Sequence, residues 1–321
     1  MMTYRALKIF INGNTQPNNK KIFDLISTDI KSKIILVVGD RASNTASFLT
    51  SIMNACGLSY VHYTNNKDLT PFKRFFNNTH PISMDMICEK AEEILKATKR
   101  TLSNNDLFFS LALHLSNDEY TVIEMDEDYY YHTKDHFSPF ALILTLDNDT
   151  KIQSIINDAP SETKEIISLS NQDDFDYIST KTNKNGARIT FASPNKIIVS
   201  NAALLSTSFY HYSYLYHISA LDLNNVSVAH LAIESASIVF NAPRPYIYKG
   251  LDSAKLPHDL TLYSLSPTIL LREGKNDFKL HHRLKFKIVD KNIDFSIPAE
   301  NTVFCGDKEY INNIKEQLKK R

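Results

Sequence analysis

Two short stretches hold residue types suited to chemistry on a charged ligand. The first is Gly39-Asp-Arg-Ala-Ser-Asn-Thr45, which follows the continuous apolar run Lys33-Ile-Ile-Leu-Val-Val-Gly39 and precedes a helical pattern. That order predicts a strand-to-helix turn, and a helix N-terminus offers unpaired backbone N–H groups that favour an anion. Gly39, Asp40, Arg41, Ser43, Asn44 and Thr45 are therefore candidate cradle residues, with Arg41 supplying positive charge and Ser43 or Thr45 a hydroxyl. Without a ligand, the same residues read as an ordinary turn in which Ser43 or Asn44 caps the helix. The second stretch is Glu124 with the acidic run Asp126-Glu-Asp128. Its carboxylates, joined by the Thr45 hydroxyl, are candidate ligands for a hard cation, and the alternative is a solvated acidic loop.

Glycine spacing limits what the turn can be. Average usage would give about 22 glycines, but the chain has 7, no two closer than 18 positions. Neither G-x-G-x-x-G nor G-x-x-x-x-G-K-[ST] can be written, so a standard phosphate-cradling loop is excluded. No serine or cysteine stands in a G-x-S-x-G setting, which leaves hydrolase chemistry unsupported. Cys56, Cys88 and Cys305 form no C-x-x-C pair and read as reduced, small hydrophobes. Lys and Arg number 36, as do Asp and Glu. Zero net charge without a basic block argues against nucleic acid, whose binding rests on phosphate neutralisation. No apolar run approaches the ~18 residues of a membrane helix, and Met1 to Gln16 lacks the apolar stretch of a cleavable signal. No membrane partner and a cytoplasmic location are the resulting expectations.

The elements that must position these residues follow from periodicity. With 321 residues, 43% of them hydrophobic, the chain can bury a sizeable core in roughly two domains. Phe48, Leu49, Ile52, Met53 and Cys56 fall at helical spacing, with Gly57 as terminator. Leu58 to Tyr63 reads as a strand. Ser83 caps a second helix, and a third runs from about Asp106 to Leu115. Tyr120 to Glu124 and Phe140 to Leu146 complete a strand–helix alternation, which predicts a doubly wound α/β sheet. One mostly parallel sheet over residues 33 to 270 is expected, with Gly39 at the end of its first strand. Short β-like segments fill 160 to 222, a long helix spans roughly Asn225 to Phe240, Thr268 to Leu271 is a further strand, and Thr302 to Gly306 leads into a polar helix.

Several stretches resemble the Mur ligase superfamily, and within it the folylpolyglutamate synthase/dihydrofolate synthase family most closely. Phe48-Leu-Thr-Ser-Ile-Met-Asn-Ala-Cys-Gly57 followed by Tyr63-Thr64 is similar to the family's F-L-A-S-I-L-R-A-A-G and Y-T. Phe72-Lys-Arg-Phe-Phe-Asn-Asn-Thr-His-Pro-Ile-Ser83 resembles F-R-E-R-I-R-I-N-G-E-P-I-S. Ile123-Glu124-Met125-Asp126 stands at L-E-V-G, and Pro267-Thr-Ile-Leu-Leu-Arg-Glu-Gly-Lys-Asn276 at P-T-I-L-L-D-G-A-H-N. The resemblance implies an α/β fold with a P-loop-type central domain over 1–274 and a remnant of the C-terminal Rossmann-like domain over 275–321. It implies a parent reaction of ATP-dependent amide ligation of glutamate to a folate or pteroate, with Mg²⁺, and a folate-like small molecule as ligand.

The motifs that carry this chemistry are degraded. The family's G-T-N-G-K-G-S-T loop falls on Gly39 to Thr45, one residue short and without the lysine that would sit on the β/γ-phosphates. The arginine of Arg41 does not reproduce a compact ammonium in a tight loop. The family's metal-binding histidine has no counterpart in Leu146-Asp-Asn-Asp-Thr150, and its carbamylated lysine none near Glu162 to Glu165. The D-G-A-H-N aspartate and histidine fall on Arg272 and Lys275, and the P-G-R arginine on Asp259. Glu124 survives. An impaired or inactive ligase is expected, with a divergent active amide ligase or a non-enzymatic binding or regulatory protein as alternatives. Asp277 to Arg321 is too short for an independent core. Leu284, Phe286, Ile288, Val303 and Phe304, with Cys305, are expected to pack on the middle domain or on a second subunit, giving a homo-oligomer or a protein partner.

His132, His136, His211, His217, His281 and His282 form no H-E-x-x-H or convincing helical pair and read as surface or hydrogen-bonded histidines. Tyr129 to Tyr131 and Phe209 to Tyr216 read either as a stacking platform for a pterin or base, or as strand-face packing.

Overall fold

The structure is a computed structural model that describes residues 2–18, 31–65, 69–116, 118–135, 137–146, 148–169, 180–182, 186–192, 197–201, 206–218, 223–254, 256, 262–266, 269–273, 287–289 and 302–319. The chain divides into two compact units, Met1–Ser193 with Leu231–Pro257, and Pro194–His230 with His258–Arg321.

The first unit is built on the apolar run foreseen as a doubly buried strand. β1 (Lys33–Val38) is buried from Ile34 onward and lies between β5 (Tyr120–Met125) and β6 (Ala141–Leu144), parallel to both. With β2 (Tyr60–Tyr63), β3 (Phe75–Asn77), β4 (His80–Pro81), β7 (Glu165–Leu169), β8 (Thr180–Thr182) and β9 (Arg188–Ala192), the sheet has nine strands in the order β4-β3-β2-β5-β1-β6-β7-β9-β8. The run from β2 to β9 is parallel throughout, and antiparallel strands add to each edge. The helices that flank this unit include α1 (Tyr4–Gly13), α2 (Ala42–Ala55), α3 (Met84–Ala97), α4 (Asn104–His114), α5 (Glu127–Thr133) and α6 (Asp149–Asp158). Continuous apolar strands require cover on both faces, and the helices supply it.

Two glycines make this packing possible. Gly39 ends β1 with φ +122°, and a Cβ there would lie 2.7 Å from the Thr145 hydroxyl oxygen. Gly250 lets α8 (Arg244–Ser253) approach α2, since a Cβ would fall 2.5 Å from the Ile52 Cα. α7 (Leu223–Val239) precedes α8; Val226, Val228, Ala229, Leu231, Ala232, Ile233, Ala236 and Val239 are buried, together with His230, Glu234 and Ser235.

Three expectations are corrected. α2 begins at Ala42 with Arg41 in the cap position but without a capping side-chain hydrogen bond, so Ser43 and Asn44 lie inside the first turn. Asp126 to Asp128 is no solvated loop: Asp126 caps α5 by accepting from the Tyr129 N–H, and the acids complement the helix dipole. Tyr129 to Tyr131 accordingly lies on a helix, not on a strand face. The parallel sheet ends at Ala192 rather than reaching residue 270. Beyond it, β10 (Ile197–Asn201), β11 (Ser206–His211) and β12 (Tyr214–Ile218) form a separate antiparallel sheet in the second unit, where Phe209 and Tyr216 stack with ring centroids 6.0 Å apart.

The strand foreseen at 268 to 271 is β14 (Ile269–Glu273), in a four-stranded sheet with β13 (Leu262–Ser266), β15 (Lys287–Val289) and β16 (Thr302–Gly306). β16 pairs in parallel with β14, so this sheet takes strands from both sides of residue 274. Val303, Phe304 and Cys305 are buried, and Leu271 and Phe304 share a cluster with Tyr310, Ile311 and Ile314 of α9 (Lys308–Lys319). Leu284 and Phe286 lie outside the described residues.

Candidate functional site

Parallel pairing brings the C-terminal ends of β1, β2 and β5 to one edge of the sheet, where open α/β folds bind ligands. Glu124, next to last in β5, stands opposite Val37 of β1. His62 is paired with Val122, two residues earlier on β5, so His62 and Glu124 share a face of neighbouring strands.

The Glu124 carboxylate is 1% exposed, and four protein donors reach it. Its Oε2 accepts from the Ser43 hydroxyl at 2.5 Å, the Thr64 hydroxyl at 2.8 Å and the Asn65 N–H at 3.0 Å. Its Oε1 lies 2.8 Å from His62 Nε2. Burial pushes the Glu124 pKa up, but the His62 hydrogen bond and charge, with the Ser43 and Thr64 hydroxyls, outweigh it and hold the carboxyl below its ordinary range. An ionised carboxylate has only acceptors, so Nε2 of His62 carries the proton.

The remaining cradle residues are spread around this hub. Gly39 donates its N–H to the Met125 carbonyl at 3.1 Å, Asp40 is exposed, and Arg41 and Asn44 are half-buried. Thr45 is completely buried, its hydroxyl oxygen has no hydrogen-bond partner, and it is not among the donors to Glu124. Of the hydroxyls in the turn after β1, the one that meets Glu124 is that of Ser43. His62 was not singled out in the sequence; the only trace there was a histidine inside a short β-branched and aromatic run, and nothing local tells which strand will lie beside it. Lys151, a nearby cation, is committed to Glu127 at 2.6 Å.

A second buried acid lies on α4. Asp106, 0% exposed, forms a capping box with Ser103, accepts the Tyr129 hydroxyl at 3.0 Å and lies 3.3 Å from His132 Nε2. Burial and the Asp106 charge raise the Tyr129 pKa. Between the two acids is a cavity of about 20 Å³ lined by Tyr63, Asn65, Glu124, Asp126 and Tyr129, enough for a water molecule and far short of a nucleotide. Among the described residues, no three His, Cys, Asp or Glu side chains gather as a metal site. His136, Asp259 and Lys275 lie outside the described residues, and Arg272 is described by its backbone alone.

No family model matches this sequence, and no curated protein matches it. Solved structures do. A folylpolyglutamate synthetase from Lactobacillus casei superposes with a TM-score of 0.65 at 12% identity, over 99% of this chain and 100% of its own. A bifunctional folylpolyglutamate synthase/dihydrofolate synthase from Yersinia pestis, complexed with AMPPNP and Mn, gives 0.62 at 13% identity over 98% of each chain. Folylpolyglutamate synthase from Mycobacterium tuberculosis, complexed with ADP, gives 0.62 at 12% identity over 85% of this chain and 70% of its own. The local resemblances, the parallel sheet with its turn after β1, and these superpositions agree that this chain has the fold of the folylpolyglutamate synthases.

Proposed function

We propose that this chain is a divergent folylpolyglutamate synthase/dihydrofolate synthase-like protein that no longer ligates glutamate to a folate or pteroate and acts as a non-enzymatic binding protein. The observation that carries the reading is the engagement of Glu124 by four protein donors, three on Oε2 and one on Oε1. Both of its oxygens are engaged by Ser43, His62, Thr64 and Asn65. A magnesium ion at this carboxylate would have to displace charge-assisted hydrogen bonds worth about 1.5–3 kcal/mol each, and the residues present do not fit it. The turn offers no lysine to the phosphates. The C-terminal segment 275–321, as a remnant domain, and a cytoplasmic location belong to the same proposal.

The test is calorimetry of the full chain with ATP and Mg²⁺. No binding is expected even at millimolar concentration, and micromolar affinity overturns the reading. One observation favours a second reading, a divergent ligase: the Thr45 hydroxyl is buried without a partner. If ATP binds and Thr45→Val abolishes the binding, that reading replaces the first.

A further inference from the structure

A cleft of about 390 Å³ opens in the first unit on the side of β2 away from β1. Its volume falls in the range of small-molecule sites, and three properties of its walls define what would occupy it.

The first is charge. The described lining residues are Ser, Thr, Asn, Tyr, His, Leu and Phe, with no Lys, Arg, Asp or Glu among them. An ionised ligand would lose hydration here with no carboxylate, ammonium or guanidinium among these side chains to replace it, which burial penalises. The second is a dense set of neutral polar groups. Ser47 and Asn54 of α2 and Thr79 of the β3–β4 turn border the cleft, and their side chains make no hydrogen bonds among the described residues. Each can give and accept a hydrogen bond.

The third is the edge formed by His62 and Phe76, whose ring centroids are 6.1 Å apart with planes inclined by 30°. Glu124 holds His62 Nε2 at 2.8 Å and thereby fixes the ring. The other ring nitrogen, Nδ1, has no hydrogen-bond partner among the described residues, which leaves it open to a ligand hydroxyl. Phe76 adds an apolar face beside it.

The geometry points to a second ligand site, in which this cleft takes a small neutral ring bearing several hydroxyl groups, a free monosaccharide or the sugar of a nucleoside. His62 Nδ1 hydrogen-bonds one ligand hydroxyl, Phe76 meets the C–H face of the ring, and Ser47, Asn54 and Thr79 exchange hydrogen bonds with its rim. The cleft shares His62 and Thr64 with the Glu124 hub, but Ser47, Asn54 and Thr79 make no bond to Glu124, so substitutions at Ser47 and Thr79 test the cleft separately from ATP binding.

Ligand-observed NMR and calorimetry on the full chain, with D-glucose, D-ribose and uridine as probes and glutamate and inorganic phosphate as anionic controls, test it. At least one neutral probe is expected to bind. Glucose alone marks a hexose site, ribose with uridine a pentose site, and uridine alone a nucleoside site. Ser47→Phe, at a half-buried position, fills the cleft and should weaken binding about tenfold or more without lowering the melting temperature. Thr79→Arg, at an exposed position, serves as an independent second variant with the same expectation. Binding of the anions alone, binding of none of the probes, or full affinity in both variants overturns the proposal.

Discussion

The Glu124 hub and the pair His211–His230 are both buried polar clusters, yet they solve burial in opposite ways. Glu124 keeps its charge because four donors reach it, three on Oε2 and His62 on Oε1. In the second unit, His211 of β11 and His230 of α7 face each other with Nδ1 atoms 2.7 Å apart and ring centroids 4.9 Å apart. One of these nitrogens must donate and the other accept, so the pair holds a single proton on that axis. Nε2 of His230 has no hydrogen-bond partner, and the Phe209 ring lies 4.7 Å from the His230 ring. Burial, and secondarily the charge of His211, drive the His230 pKa well below its ordinary value. A buried group stays ionised where the fold saturates it, and stays neutral where the fold leaves it short of partners.

The comparison is broken most severely at its charged end. Glu124→Ala strands three side-chain donors and one N–H, and chemical denaturation should show a loss of about 3–5 kcal/mol. A loss under 1 kcal/mol would mean that the hub is decorative. Thr64→Val removes one donor and keeps the shape, so its expected loss is about 1.5–3 kcal/mol, with the other three bonds intact. Equal losses in the two variants would show that Thr64 alone carries the hub.

The smallest effect is in pH, and it sharpens the contrast. Glu124 has a lowered folded pKa, so its stabilisation is complete above the ordinary 4.5 and fades as pH falls through the folded value below that. His230 is a base with a lowered folded pKa. The unfolded chain therefore takes up protons first, and stability is complete above 6.5 and is lost as pH falls below it. Thermal unfolding followed against pH should show a loss of up to about 1.4 kcal/mol per pH unit starting near 6.5, and His230→Leu should flatten it. A slope that survives the substitution assigns the proton uptake to another group.

Much of the fold is legible because its signals are local. Ile34 to Val38 are apolar without interruption and become the buried middle strand. Ser83 caps α3 by accepting from the Met86 N–H, as its spacing from the apolar stripe foretold. The acidic run at 126 to 128 also held a local signal, an Asp cap followed by acids in a first turn, although its charge suggested a loop. The segments from 197 to 218 read as strands, but whether they extend the parallel sheet or pair among themselves depends on partners distant in the chain. β11, with its alternating burial, settled into an antiparallel sheet that covers only one face.

The same division runs through the site. Residue types determined by themselves that the turn after β1 has one glycine, no lysine and a spare hydroxyl, and that Glu124 ends an apolar strand, since such features depend only on the chain. Which hydroxyl meets Glu124 was settled by where α2 begins, and its histidine by the strand laid beside β5. Hydrogen bonds at 2.5–2.8 Å to Ser43, His62 and Thr64 depend on registers that no short stretch encodes. A carboxylate's chemistry is set by the groups that reach it, and those groups come from residues some 60 to 80 positions away, gathered by parallel pairing and helix packing.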